Sequence, residues 1–199
     1  MAKTREIVVT VIAAIAAAVG LAWLIVKRNG PGDVLDEIGD TIVDLTTSEE
    51  SRLQQLEPGT QTLIRQLIQQ LANNGLDVYV GQTLRTQAQE KQAIDAGKSG
   101  VKSHSWHEIG RAVDLYPVDP DTGRADQDGK RDDLFTQMQQ SAVAMGLRQI
   151  AYDVDTWQRR YITNAQGKKI WDGGHIEYHG SYATIAEAVA AEGSNYGIT

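Results

Sequence analysis

The chain has 199 residues, 41% of them hydrophobic and 23% charged, a balance that excludes a mostly disordered polypeptide. Lys3, Arg5, Lys27 and Arg28 against Glu6 give the first 28 residues +3, so the net −7 leaves −10 for the rest, which argues against nucleic acid as a partner. Cysteine is absent, so there are no disulfides or thiolate ligands, and a metal site would need His, Asp, Glu and water.

Residues 1–6 form a short polar tail. The next run, IVVTVIAAIAAAVGLAWLIV (Ile7–Val26), is 20 residues without a charge. As a helix rising ~1.5 Å per residue it spans ~30 Å, the thickness of a bilayer's hydrocarbon core. Trp23 lies near one end, where an indole suits the interface. Basic pairs flank both sides, so charge does not set the orientation. An uncleaved transmembrane anchor over 7–26 is the reading, with a cleaved signal peptide and a buried soluble helix as its rivals. The apolar run is long for a signal peptide, and no clean small-x-small site precedes Lys27.

Residues 27–47 read as a linker or stalk. NGPGD is a chain breaker, and Val34, Leu35, Ile38, Ile42 and Leu45 then recur at helical spacing among acids. The main domain is expected over 48–199. Ser48 with Glu49 and Glu50 supplies helix-start chemistry, and Pro58-Gly59 ends that first short helix. Leu63, Ile64, Leu67, Ile68 and Leu71 form an apolar stripe ended by Asn73-Asn74-Gly75.

LDVYVGQTL has strand character, and RTQAQEKQAIDAG a helical pattern stopped at Gly97. GRAVDLYPV alternates, with Ala112, Asp114 and Tyr116 on one face and Val113 and Leu115 on the other. DPDTGRADQDGKRDD is a loop rich in oxygen ligands for Ca²⁺, without EF-hand spacing. LFTQMQQSAVAMG is a helix, Asn164–Gly167 the turn of a hairpin, and YATIAEAVAAEG a closing helix. Helices and strands mix without regular βαβ alternation, which predicts an α+β domain with a small antiparallel sheet.

Two stretches carry chemistry. In SHSWHEIGRAVDL, a tight turn at Gly110 would return His107 to the side of Asp114 at the start of a strand. An aspartate in an otherwise apolar strand needs a partner. In WDGGHIEYH, extended backbone puts His175, Glu177 and His179 on one face. Residue chemistry alone leaves either His175 or His179 as a ligand and either Asp172 or Glu177 as a base. His179, beside Gly180, reads as a surface histidine, and Glu108 and Arg111 as solvated.

The pattern Ser105-x-His107-x-x-Gly110-x-Ala112-x-Asp114 resembles the signature of the peptidoglycan-cleaving zinc peptidases: the D-alanyl-D-alanine dipeptidases and carboxypeptidases of vancomycin resistance and the L-alanyl-D-glutamate endolysins of phages. Asp172-Gly173-Gly174-His175 is similar to that family's second motif, with aspartate leading as in the endolysins. Arg85 in LRTQAQEKQ matches an upstream arginine, although Glu90 stands where the family usually has glutamine, with Gln89 and Gln92 nearby.

The resemblance covers about residues 48 to 180. It implies a Hedgehog/DD-peptidase-like fold and selects His107 over His104. It further implies that His107, Asp114 and His175 bind Zn²⁺, that Asp172 is the general base, and that Arg85 holds a developing oxyanion or a substrate carboxylate. Ser105 would steady the turn or a ligand, and Glu177 would stand behind the ligands or at the substrate. The substrate implied is the stem peptide of bacterial peptidoglycan, cut at L-alanyl-D-glutamate, with D-alanyl-D-alanine the runner-up. A membrane-anchored binding or virion protein on an inactive peptidase fold is the rival of another class. Cell wall lies outside the inner membrane, so the anchored domain should face the periplasm or the exterior. The anchor, moderated by six alanines and Gly20, loosely resembles those of phage lysis enzymes that later leave the bilayer.

Overall fold

The computed structural model describes residues 49–101 and 104–192. The anchor and stalk expected over 7–47, and the Ser48 cap, lie outside the described residues. Among the described residues, no helix is long and apolar enough to cross a membrane.

Helix α1 (Glu49–Leu53) is short and is followed by α2 (Pro58–Asn73). Pro58 opens α2, where its missing N–H costs nothing, and the Glu57 carboxylate accepts from the amides of Gly59 and Thr60. The α2 stripe is buried at Ile64, Leu67 and Leu71, and the helix ends at Asn74-Gly75 as the turn residues require. Strand β1 (Val78–Val80) then leads to α3 (Gln87–Asp95), which Thr86 and Gln89 close with a capping box.

A 3₁₀ turn (Trp106–Ile109) precedes the long strand β2 (Ala112–Asp119). The expected acidic loop contains a small strand, β3 (Arg124–Ala125), which folds back on β2. Helix α4 (Asp132–Ala144) and strand β4 (Arg148–Gln149) follow. Strands β5 (Ile162–Thr163) and β6 (Lys169–Ile170) form the expected hairpin, β7 (His175–Glu177) completes the main sheet, and α5 (Ile185–Glu192) closes the domain.

The main sheet runs β1-β2-β7-β4, antiparallel throughout, with β3 on β2. Its two faces divide the interior. Val113, Leu115 and Ile176 point into the large core with Ile64, Leu67, Leu71, Phe135 and Met138 of α2 and α4. Ala112 points the other way, into a smaller cluster with Trp106, Ile109 and Ala188 of α5. The architecture is α+β with a small antiparallel sheet, as the pattern reading expected, and the alternation along β2 carries Asp114 onto the face away from the large core.

Candidate active site

Pairing of β2 with β7 puts Asp114 directly opposite His175, and Ala112 opposite Glu177. Asp114, His175 and Glu177 therefore share the face of Ala112. His107 arrives from the 3₁₀ turn. Gly110 ends that turn at φ +66, and a Cβ there would meet the backbone of Gln55 and Glu57 at 3.0 Å, so both conformation and space call for glycine. The 172–175 turn presses equally closely on β2: a Cβ on Gly174 would lie 2.9 Å from the carbonyl oxygen of Leu115.

His107 Nε2 lies 3.2 Å from His175 Nδ1, and each is 3.3 Å from Asp114 Oδ1. All three residues are buried, and their ligand atoms lie within 4.8 Å of one another. The outer nitrogens have their own partners. His107 Nδ1 bonds to the Thr83 carbonyl at 2.6 Å and His175 Nε2 to Glu177 Oε1 at 2.8 Å. A carbonyl and a carboxylate only accept, so each imidazole donates its N–H outward and turns its other nitrogen inward. Two imidazole nitrogens and a carboxylate oxygen thus converge on one point, a donor set suited to Zn²⁺ in a site that keeps a fourth position open.

The charged groups of the site shift one another's protonation. Burial alone would raise the Asp114 carboxyl, but the charges and hydrogen bonds of His107 and His175 hold it well below the usual carboxylate range. Burial would lower His175, and bonds to Asp114 and Glu177 reverse that and raise its proton affinity well above the ordinary value. Glu177 is likewise opposed by burial, yet its bonds to His175 and His179 hold it down to about 2.

Asp172 stands beside the three groups. Burial pushes its carboxyl up and the Asp114 charge adds to this, while His175, His107 and Arg85 draw it down; the net direction is upward. Asp114 and Asp172 are thus two carboxyls driven apart, one held ionised and one prepared to take a proton.

Arg85 lies on the outer side of Asp114, its guanidinium 3.5 Å from Oδ2 and 3.1 Å from Glu90 Oε2. Glu90 is 1% exposed and also accepts from Ser99 Oγ and Ser105 Oγ, each at 2.7 Å. Those bonds outweigh burial and keep it ionised, below its ordinary value. Ser105 of the signature therefore serves Glu90 and, through it, Arg85. Glu90 is the buried residue of α3, five positions after Arg85, which precedes the helix.

Three expectations need correction. His179 is not a surface histidine. Its side chain is 12% exposed, stacks on Trp106 at 3.9 Å between ring centres, and bonds Glu177 and Arg148. Glu108 is not solvated: it is buried, accepts from the Ser105 amide and pairs with His104. Arg111, also buried, lies over the rings of Tyr178 and Tyr182 and donates to the His179 carbonyl. His179 and Arg111 find partners far away in the chain, whereas Glu108 is held locally by the capping box with Ser105 and by His104 four residues before it.

One contributor left no sequence signal. Gln139 of α4 is fully buried and donates from Nε2 to the carbonyls of Gly173 and His175, pinning the turn that carries Asp172 and His175. In the acidic loop, by contrast, Asp119 is tied to Arg131 at 2.7 Å, and Asp126 accepts from the Arg131 amide. Of the acids in this oxygen-rich loop, Asp119, Asp121 and Asp133 thus already face the Arg131 guanidinium.

No curated protein matches the sequence. Among solved structures, the Serratia marcescens L-Ala D-Glu endopeptidase ChiX is similar, with 20% identity, a TM-score of 0.45, and coverage of 65% of this chain and 84% of that one. A vancomycin resistance D,D-pentapeptidase, a VanY mutant from a VanB-type cassette in complex with Zn(II), shows 15% identity, a TM-score of 0.43, and coverage of 63% and 73%. The profile of the family described as phage L-alanyl-D-glutamate peptidase matches residues 42–179. The match takes in more than half of the chain, both motifs and all three converging groups, and the chain belongs to the phage L-alanyl-D-glutamate peptidase family, an enzyme family of zinc peptidases.

Proposed function

We propose that this protein hydrolyses the L-alanyl-D-glutamate bond in the stem peptide of bacterial peptidoglycan. The observation that carries the reading is the convergence of His107 Nε2, Asp114 Oδ1 and His175 Nδ1 beside the raised carboxyl of Asp172. His107, Asp114 and His175 would hold Zn²⁺, which would supply Lewis-acid chemistry to the scissile carbonyl and to water. Asp172 takes the proton of the attacking water and returns it to the leaving amine. Arg85, fixed by Glu90, directs its guanidinium at the developing oxyanion or at a substrate carboxylate. Ser105 keeps Glu90 in place, and Glu177 orients His175.

In the same reading, residues 7–26 anchor the chain in the inner membrane and the catalytic domain faces the wall. Protease added to spheroplasts should then degrade residues 48–199; their protection would overturn this topology.

The test of the activity is mass spectrometry of purified peptidoglycan digested with the full chain. New amino-terminal glutamate, abolished by chelation and restored by Zn²⁺, is the expected result. Release of terminal alanine would reassign the enzyme as a D-alanyl-D-alanine carboxypeptidase. An unchanged digest would leave a binding or virion protein on the peptidase fold, and full activity after complete chelation would remove the metal from the mechanism.

A further inference from the structure

The bond from His175 to Glu177 is the inner end of a longer run. Glu177 Oε2 accepts from His179 Nε2, and His179 Nδ1 in turn faces the guanidinium of Arg148. Arginine can only donate, and a carboxylate can only accept. The direction of every bond is therefore set from the two ends. Arg148 donates to His179 Nδ1, so His179 presents Nε2–H to Glu177. Glu177, engaged on both oxygens, takes Nε2–H from His175 and leaves His175 Nδ1 turned inward beside His107 and Asp114.

The fold builds this run from separate elements. Arg148 of β4 lies directly opposite Glu177 of β7, and His179 follows Glu177 by two residues. Trp106, the neighbour of His107, stacks on the His179 ring with 26° between planes. His179 is thus fixed at its face by one ligand segment and at its edge by the other. A Glu177 carboxylate bonded only to His175 could rotate about its terminal torsion; bonded also to His179, it has one orientation.

We propose that His179 and Arg148 are positioning residues for the metal, acting through Glu177 to hold His175 in its ligating tautomer and orientation. The inference rests on the reading of His175 as a metal ligand.

The experiment measures the Zn²⁺ dissociation constant of the full chain by competition with a chromophoric chelator, and the visible spectrum after Co²⁺ loading. His179→Leu, His179→Gln and Arg148→Met are compared with wild type. Outer partners of ligating histidines are worth about 10–100-fold in metal affinity, so a group one bond further out should be worth about tenfold or somewhat less. His179→Leu should weaken Zn²⁺ binding by about that factor and alter the Co²⁺ bands. His179→Gln, whose amide can accept from Arg148 and donate to Glu177, should restore both. Arg148→Met, at an exposed residue that the fold can lose, should weaken binding by about threefold or more.

Wild-type affinity and an unchanged Co²⁺ spectrum in Arg148→Met and in folded His179→Leu would overturn the proposal alone. Equal losses in His179→Gln and His179→Leu would do the same, because packing and not hydrogen bonding would then be the cause. Failure of the wild-type chain to bind Zn²⁺ would instead overturn the metal reading, and this proposal with it.

Discussion

Replacing Asp172 by asparagine separates the base from the metal site. Asp172 is not one of the three groups whose ligand atoms converge, so the amide leaves the donor set intact. It also removes a charge that burial disfavours, so the fold should not suffer; a Tm within about 2 °C of wild type is expected, less than one kcal/mol for a chain of this size. The lost function is proton transfer alone. A positioned general base contributes about 10²–10⁴-fold, equivalent to about 2.7–5.4 kcal/mol of barrier at 1.36 kcal/mol per decade. Turnover on muropeptides should fall by that factor, with one Zn²⁺ per chain retained by elemental analysis. Turnover within about tenfold of wild type would refute the role of Asp172, because it falls below the range for a general base. Loss of zinc would show instead that Asp172 belongs to the ligand set.

Glu90→Ala should destabilise the domain by about 3–5 kcal/mol in urea unfolding, since it strips Arg85 and two buried hydroxyls of their acceptor, whereas Glu90→Gln should cost much less. Because the folded pKa of Glu90 lies below its ordinary 4.5, its contribution is complete above that pH and is lost as pH falls through the folded value; the acid limb of a stability–pH curve should flatten in Glu90→Gln. Gly110→Ala, forced to φ +66 against the backbone of Gln55 and Glu57, should cost at least about 1–3 kcal/mol and displace His107, seen as weaker zinc retention on dialysis. Leu67→Ala, at a side chain with no exposed surface, should cost about 2–5 kcal/mol while folded protein keeps its zinc, because the large core lies on the opposite face of the sheet from the site.

The elements of the domain were largely legible in the sequence. The α2 stripe, the β2 alternation and the Asn164–Gly167 hairpin each rest on a local period or a turn dipeptide, and the structure contains all three. The short strands β3 and β4 were not visible, since two residues hold too little pattern and form only because β2 and β7 offer an open edge. His107 and Asp114 could be paired through Gly110 because their turn is local, and His175 could be joined to them only through a signature.

Residue types, spacing and the turn at Gly110 put one imidazole beside a carboxylate, and the resemblance to the peptidase signature added the second imidazole and the carboxylate for a proton. Tertiary structure alone decided their surroundings. The β2–β7 register set His175 against Asp114 across 61 positions of chain, α3 folded Glu90 under Arg85, and β4 brought Arg148 to His179. The physical reason is range. Propensity and periodicity act over a few residues, whereas the burial and hydrogen bonding that settle a proton's position depend on whichever distant strand closes over it.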